Sequence, residues 1–336
     1  MRHSPRPRIL PAVWLLAAAV ATTGAFAHEA HRHEPERHDP PAVTASPLEL
    51  VERFRQSGDD RHLEAAWKSI TPALERPDTA TAERLLEAAF VAQALHRFDT
   101  ALALTDRALA HNAGNDQAWL LRASIALVRG DTKAARAACR RLTRAAVVVI
   151  AACHARGTEE VRQQRLSLQR LDALLATPAA AHLAPRVRAW VLSVAGDLAA
   201  GLADTAAAVE RYSASLALAE RAQVRSALVD VLLRAGRLRR AEAVLSEGSA
   251  ALPLTIRRYI VARRQGRFDD VRADVAATDR EFRRWIDAGD WLHAREMARF
   301  YLDVLDDPAL AGRLARANLA VQREPEDRLL AQRTGH

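Results

Sequence analysis

Ala101 and Ala135 stand 34 residues apart, and each occupies the same place in a helix–turn–helix unit. In the second unit Trp119 opens the first helix, Gly130-Asp131 supplies the turn, and Ala135 lets the second helix pack closely. Leu85, Ala89, His96-Arg97 and Ala101 fill the equivalent places one unit earlier. A period in this range, with a large residue, then small residues, then a turn, marks a solenoid of helical pairs. It constrains the fold because each unit can bury its apolar face only against its neighbours. With aromatic residues at only 5% of the chain, close-packed helices are favoured over sheets. The run Val147-Val148-Val149-Ile150 is short and lies inside a helical pattern.

The pattern starts at Leu48, where Leu48, Leu50, Val51 and Phe54 mark one helix face and Leu63, Ala66, Trp67 and Ile70 the next. Residues 82–112 and 116–145 form the two clearest units, and the unit from Ala146 is irregular, followed by a loop over Thr177–Pro185. Regularity returns with Gly196 at a small position, Ala203-Asp204 at a turn, Ala208 at the close-packing place and Tyr212 at a bulky one. Gly236 and Ala241, then Gly266 and Val275, repeat those roles, and Asp306-Asp307-Pro308 turns the last unit before Pro325 stops it.

These positions resemble the tetratricopeptide repeat (TPR) family over roughly residues 48–325. The resemblance implies an all-α, alpha-alpha superhelix, a TPR-like helical solenoid, in which the first helix of each pair lines a concave face. It also implies a protein or peptide partner held there, with Gln93, Gln117, Trp190, Asp197, Asp230, Arg234 and Arg263 at inward positions, beside Ser124, Ser193 and Arg264. The alternative is that these residues are solvated surface. The clamp by which chaperone-binding members of the family hold a terminal carboxylate needs Lys and Asn where this chain has Ser124 and Asp197, so that partner class is disfavoured.

The chain begins as a secretory signal does. Arg2, Arg6 and Arg8 precede an apolar run over Ile9–Val20, and Ala25-Phe26-Ala27 places small residues where a signal peptidase reads. Residues 1–27 are therefore expected to be removed, giving a periplasmic or secreted protein with no stable membrane span; the alternative is an uncleaved membrane anchor, for which the apolar stretch is short against the ~20 residues a span needs. Residues 28–47 read as a disordered, His-rich linker, being rich in proline and charge and poor in apolar residues. Residues 326–336 read as a C-terminal tail.

Export bears on the two cysteines, since oxidising compartments form disulfides. The repeat resemblance sets Cys139 and Cys153 face to face across the junction between consecutive units. A bond closing this step would stabilise by about 3 kcal/mol in the chain-entropy model. The alternative is a pair of buried thiols acting as small hydrophobes.

The formal charge is +8, and Lys68 and Lys133 are the lysines; every other basic residue counted there is arginine. Base composition gives such a bias without function, although arginine also suits carboxylate or phosphate. No arginine-rich run with interleaved aromatics is present, so nucleic acid is not expected as a partner. No G-x-S-x-G, P-loop or dinucleotide fingerprint occurs, and the chain is not expected to be an enzyme. No cofactor is expected. The one chemical constellation is at the start, where His28, His31, His33 and His38 alternate with Glu29, Glu34 and Glu36. Imidazoles of this density suit weak capture of nickel, copper or zinc, and a metal-handling accessory protein is the second functional expectation. The spacing does not match H-E-x-x-H, and a plain solvating linker is the alternative.

Overall fold

The computed structural model describes residues 45–57, 61–75, 80–158 and 160–335. The expected signal and histidine cluster lie outside the described residues. The described chain forms 18 α-helices, most of them packed as consecutive antiparallel pairs. They are α1 (Pro47–Ser57), α2 (Arg61–Glu75), α3 (Ala82–Ala94), α4 (Phe98–His111), α5 (Asp116–Val128), α6 (Thr132–Cys139), α7 (Val147–Ala155), α8 (Val161–Leu175) and α9 (Pro178–Ala181). There follow α10 (Pro185–Gly201), α11 (Thr205–Leu218), α12 (Ala222–Arg234), α13 (Leu238–Ser246), α14 (Leu252–Arg264), α15 (Arg272–Asp287), α16 (Ala294–Asp303), α17 (Pro308–Val321) and α18 (Pro325–Arg333). No described helix is long and apolar enough to cross a membrane.

The turns between paired helices share one device. His96, Gly130, Ala203, Gly236, Gly266 and Asp306 each have φ between 55° and 77°. A single left-handed residue reverses the chain, and glycine takes that conformation at least cost. In three of these turns the next residue is an aspartate that caps the following helix. Asp131 accepts from the Ala134 amide, Asp204 from Ala207 and Asp307 from Leu310. Each cap satisfies a donor that the first helical turn would otherwise leave unpaired.

Small residues set how closely the helices approach. A Cβ on Gly196 would lie 2.6 Å from ring atoms of Tyr212, so α10 and α11 can touch only with glycine there. Ala101, Ala208 and Ala241 are wholly buried at the corresponding places of their second helices. The core runs through the array as three successive apolar clusters, the first from Val51 to Ile125, the second from Leu120 to Leu198 and the third from Ala199 to Ala331.

Between α6 and α7, Cys139 and Cys153 are joined, with their Cα atoms 5.8 Å apart. Helix α6 is only 8 residues long. The bond therefore tethers a helix with little apolar face of its own to the next unit.

Two expected segments differ. Thr177–Pro185 is not all loop, because Pro178 starts the short α9. The expected tail is mostly helix. Pro325 does end α17, but it also sits at the first turn of α18, where its missing N–H costs nothing. Glu324 and Asp327 form a reciprocal capping box that fixes this start.

Candidate functional site: the inner face of the array

The first helices α10, α12, α14 and α16 pack against one another in succession, forming one face of the array. On this face the array closes on itself. The Gln322 side chain hydrogen-bonds the His96 ring at 2.9 Å, across 226 residues of sequence. The Arg323 amide donates to the Val128 carbonyl at 2.6 Å, and the rings of Phe54 and His293 stack at 6.5 Å. The α17–α18 junction thus abuts the turns of the first two regular pairs.

A charge network holds this closure. Asp230, in α12, accepts a two-pronged pair of bonds from Arg257 of α14 at 3.0 and 2.7 Å. It accepts a second pair from Arg299 of α16 at 2.8 and 2.6 Å. Arg257 also reaches Glu296 at 3.1 Å. Arg295 grips Asp327 at 2.6 and 2.8 Å, Glu324 at 2.7 Å and Gln322 at 2.9 Å. Asn318 adds a bond to Asp327 at 2.7 Å. Planar guanidinium forks fit carboxylates in this two-pronged way, which a lysine would not reproduce.

The electrostatics follow from burial and pairing. Burial opposes ionisation of Asp230, but Arg257 and Arg299 outweigh it and hold the carboxyl at about 2. Burial, then the nearby Arg295 and His293, depress the His96 ring to about 4. It therefore meets Gln322 as a neutral imidazole. Burial raises Glu324, yet Arg295 more than offsets this and leaves it lowered. Two carboxyls behave differently. Asp197 and Glu326 keep part of their surface exposed to water, yet both lose much of their hydration to surrounding protein. Burial raises Asp197 to about 7, against the opposing effect of the Tyr212 hydroxyl, which donates to it at 2.7 Å. Glu326 is raised by burial and by the neighbouring Asp230.

The structure distributes the expected inward residues unevenly. Asp197 is exposed and near Glu326, and Arg234 ends α12 exposed, near enough to Tyr212 to act on its hydroxyl. Gln93 and Gln117 are half-buried. Three depart from an open contact surface. Asp230 is 4% exposed and committed to two arginines, so it builds the wall rather than meeting a partner. Trp190 is half-buried against the second apolar cluster. Arg263 spends its guanidinium on the Val304 carbonyl, with Asp306 at 3.8 Å. Of the neighbouring positions, Ser124 accepts from Arg156 at 3.0 Å, Ser193 bonds the Trp190 carbonyl and Arg264 the Leu233 carbonyl.

The network residues Arg257, Arg295, Arg299, Glu296 and Asp327 were not anticipated. One signal did exist. Asp230 interrupts the apolar run Leu228–Leu233, and Arg257 interrupts Ile256–Ile260. A charge inside such a run must be buried and therefore paired. No group of three or more metal-ligating side chains occurs among the described residues.

No family model matches the chain, and no curated protein matches it. Solved structures do show similarity. One is the APC/C hetero-tetramer Cut9–Hcn1, at 16% identity and TM-score 0.43 over 89% of this chain; this chain spans about half, 50%, of that one. A tetratricopeptide repeat protein from Parabacteroides merdae ATCC 43184 matches at 14% identity and TM-score 0.40, over 86% of this chain and 98% of that one. The TPR domain of P58(IPK) matches at 12% identity and TM-score 0.27, over 86% and 96%.

Proposed function

We propose that this chain is a non-enzymatic, exported scaffold that docks a peptide or partner protein on its inner face. The observation that carries the reading is the division of labour on that face. Asp230, Arg257, Arg295 and Arg299 are committed to one another and to neighbouring acids, which fixes α12, α14 and α16. Asp197, Arg234 and Glu326 stay exposed beside them and form no ion pair among the described residues, Asp197 taking only the Tyr212 hydroxyl. A rigid wall bearing a few uncommitted polar groups lowers the ordering cost of binding. The export part of the reading rests on the basic and apolar start with Ala25-Phe26-Ala27.

Photo-crosslinking tests the docking. A benzophenone side chain at position 234 captures a discrete partner from an envelope extract, and the same group at position 165, on the outer helix α8, does not. Capture from position 165 alone would move the docking face to the outside of the array.

The histidine cluster supports a second role, capture of nickel, copper or zinc by the segment preceding the helices, with the array docking a client of that metal. The carrying observation is the alternation of His28, His31, His33 and His38 with glutamates.

A further inference from the structure

Where α1 meets α12, α14 and α16, the inner face holds a half-open cavity of about 220 Å³. Its apolar side is made by Phe54, Leu252, Pro253 and Leu292, and Ser226 and Glu326 are among its polar residues. The volume falls below the roughly 300 Å³ at which pockets for drug-sized ligands begin. It suits one long side chain with a little water.

The charges around it decide what can enter. The nearby arginines are already spent. Arg257 serves Asp230, Glu296 and the Pro253 carbonyl, Arg295 serves Asp327, Glu324 and Gln322, and Arg299 serves Asp230. Glu326 has no hydrogen bond or ion pair among the described residues. The arginines are thus outnumbered by Asp230, Glu296, Glu324, Asp327 and Glu326. The lining also holds His96, bonded to Gln322, and His293, which packs against Phe54 and Trp285. An incoming carboxylate would find no uncommitted arginine and would face Glu326 and Glu296. An incoming cation would find an uncommitted carboxylate at the end of an apolar wall. Ser226 adds a second polar group. It is 5% exposed, and its hydroxyl is buried with no partner. A serine changes rotamer cheaply, and an unpaired buried hydroxyl gains by turning toward any acceptor or donor that arrives.

We propose that this cavity binds an ammonium or guanidinium group carried on an apolar stem, such as the side chain of a lysine or arginine in a docked segment. The peptide source rests on the docking reading above; the cation chemistry does not. Glu326 neutralises the charge, Phe54, Leu252, Pro253 and Leu292 cover the stem, and Ser226 completes the polar end.

Two sets of probes separate the cavity from the docking. The first is n-pentylamine, n-pentanoate and n-pentanol, titrated by NMR into the whole folded chain at pH 7.5. The amine binds at least tenfold more tightly than the acid or the alcohol. Glu326→Gln, which disturbs no bond of the fold, removes that preference. Ser226→Ala weakens amine binding about threefold without lowering the melting temperature, since it deletes an unpaired buried hydroxyl. The second set is a blocked heptapeptide of alanines with Lys, Gln or Glu at its centre. A lysine preference that disappears in Glu326→Gln supports a peptide as the source. Amine binding without peptide binding upholds the cavity and counts against the docking reading. Equal affinity for amine, alcohol and acid, or an amine affinity untouched by Glu326→Gln, overturns the proposal.

Discussion

Gln322 and His96 hydrogen-bond at 2.9 Å although 226 residues separate them, and this contact joins the last helical pair to the first regular turn. His96 is at once the left-handed residue of the α3–α4 turn, with φ 55°, and the acceptor or donor that meets the returning chain. One residue therefore couples a local turn to the closure of the whole array.

That coupling should respond to acid. The His96 ring is depressed from 6.5 to about 4, so between these values the folded chain binds fewer protons at this group than the unfolded chain does. Its contribution to stability is complete above pH 6.5 and is lost as the pH falls toward about 4. Protonation would set an imidazolium beside Arg295 and His293. The closure should loosen by a few kcal/mol, on the order of 2–3. Hydrogen exchange of residues 322–335 should accelerate over that window before the rest of the chain changes. In His96→Asn, which tolerates the same backbone conformation, the acid-dependent step should be absent.

Asp230 gives a separate expectation. With the carboxylate removed in Asp230→Ala, Arg257 and Arg299 lose their shared acceptor, and Arg257 is itself 4% exposed. Breaking a buried pair from one side costs about 3–5 kcal/mol. Chemical denaturation should show a loss of this size, whereas Asp197→Ala, at an exposed carboxyl, should cost far less. The Asp230 contribution is present above its unfolded value of 3.8 and disappears only as the pH falls through about 2. A loss of stability near pH 5 therefore belongs to His96 and not to Asp230, and Asp197, raised to about 7, acts in the opposite direction over that range.

Gly196 and Tyr212 test the packing of the regular units. A methyl group at 196 would meet the Tyr212 ring at 2.6 Å. Gly196→Ala should destabilise by about 1–3 kcal/mol, because the ring must be driven off α10. Tyr212→Phe keeps the ring and loses only the bond to Asp197, for about 1 kcal/mol. Melting temperatures that rank these variants in the opposite order would mean that the ring can move aside freely.

These residues also show what a reader of the sequence could see. The turns at His96, Gly130, Ala203, Gly236, Gly266 and Asp306 were legible, because a left-handed residue, followed in three of them by a capping aspartate, is a local event written in adjacent letters. Helix α18 was hidden, because Pro325 serves equally as the end of one helix and the start of another. Only the Glu324–Asp327 pair distinguishes the two. The closure and its charge network were hidden for another reason. They join residues far apart in the chain, and among 49 basic residues only Arg257, inside Ile256–Ile260, carries a local mark, while no spacing singles out Arg295 and Arg299 as its partners in the network. Asp230 was placed on the inner face from its helical position, but position alone does not tell whether a carboxylate faces water or two arginines.

The Cys139–Cys153 bond should matter most to the short α6. Its loop of 14 residues gives about 3 kcal/mol by the loop-closure estimate. Reduction should lower the unfolding midpoint accordingly and expose α6 and its flanking turn to protease first. Labelling of denatured, unreduced protein should find no thiol. Two labels per chain would show that the bond does not form in the cell.

The histidine cluster carries the last expectation, and its chemistry sets the conditions. His28, His31, His33 and His38 lie within eleven residues, among glutamates. Neutral imidazole ligates and imidazolium does not, so capture of nickel, copper or zinc should fade as the pH falls through ~6.5. The affinity should be modest, because a stretch this rich in proline and charge carries little apolar surface to offset the entropy lost on wrapping an ion. The helical array should not depend on the metal, since its described residues contain no ligand cluster of their own. Titration calorimetry on the chain beginning at His28, and on one beginning at Leu48, separates the two parts. Binding confined to the longer chain supports metal capture by the segment. Equal binding by both, or none by either, leaves the histidines as the composition of a solvated linker and removes the metal-handling role.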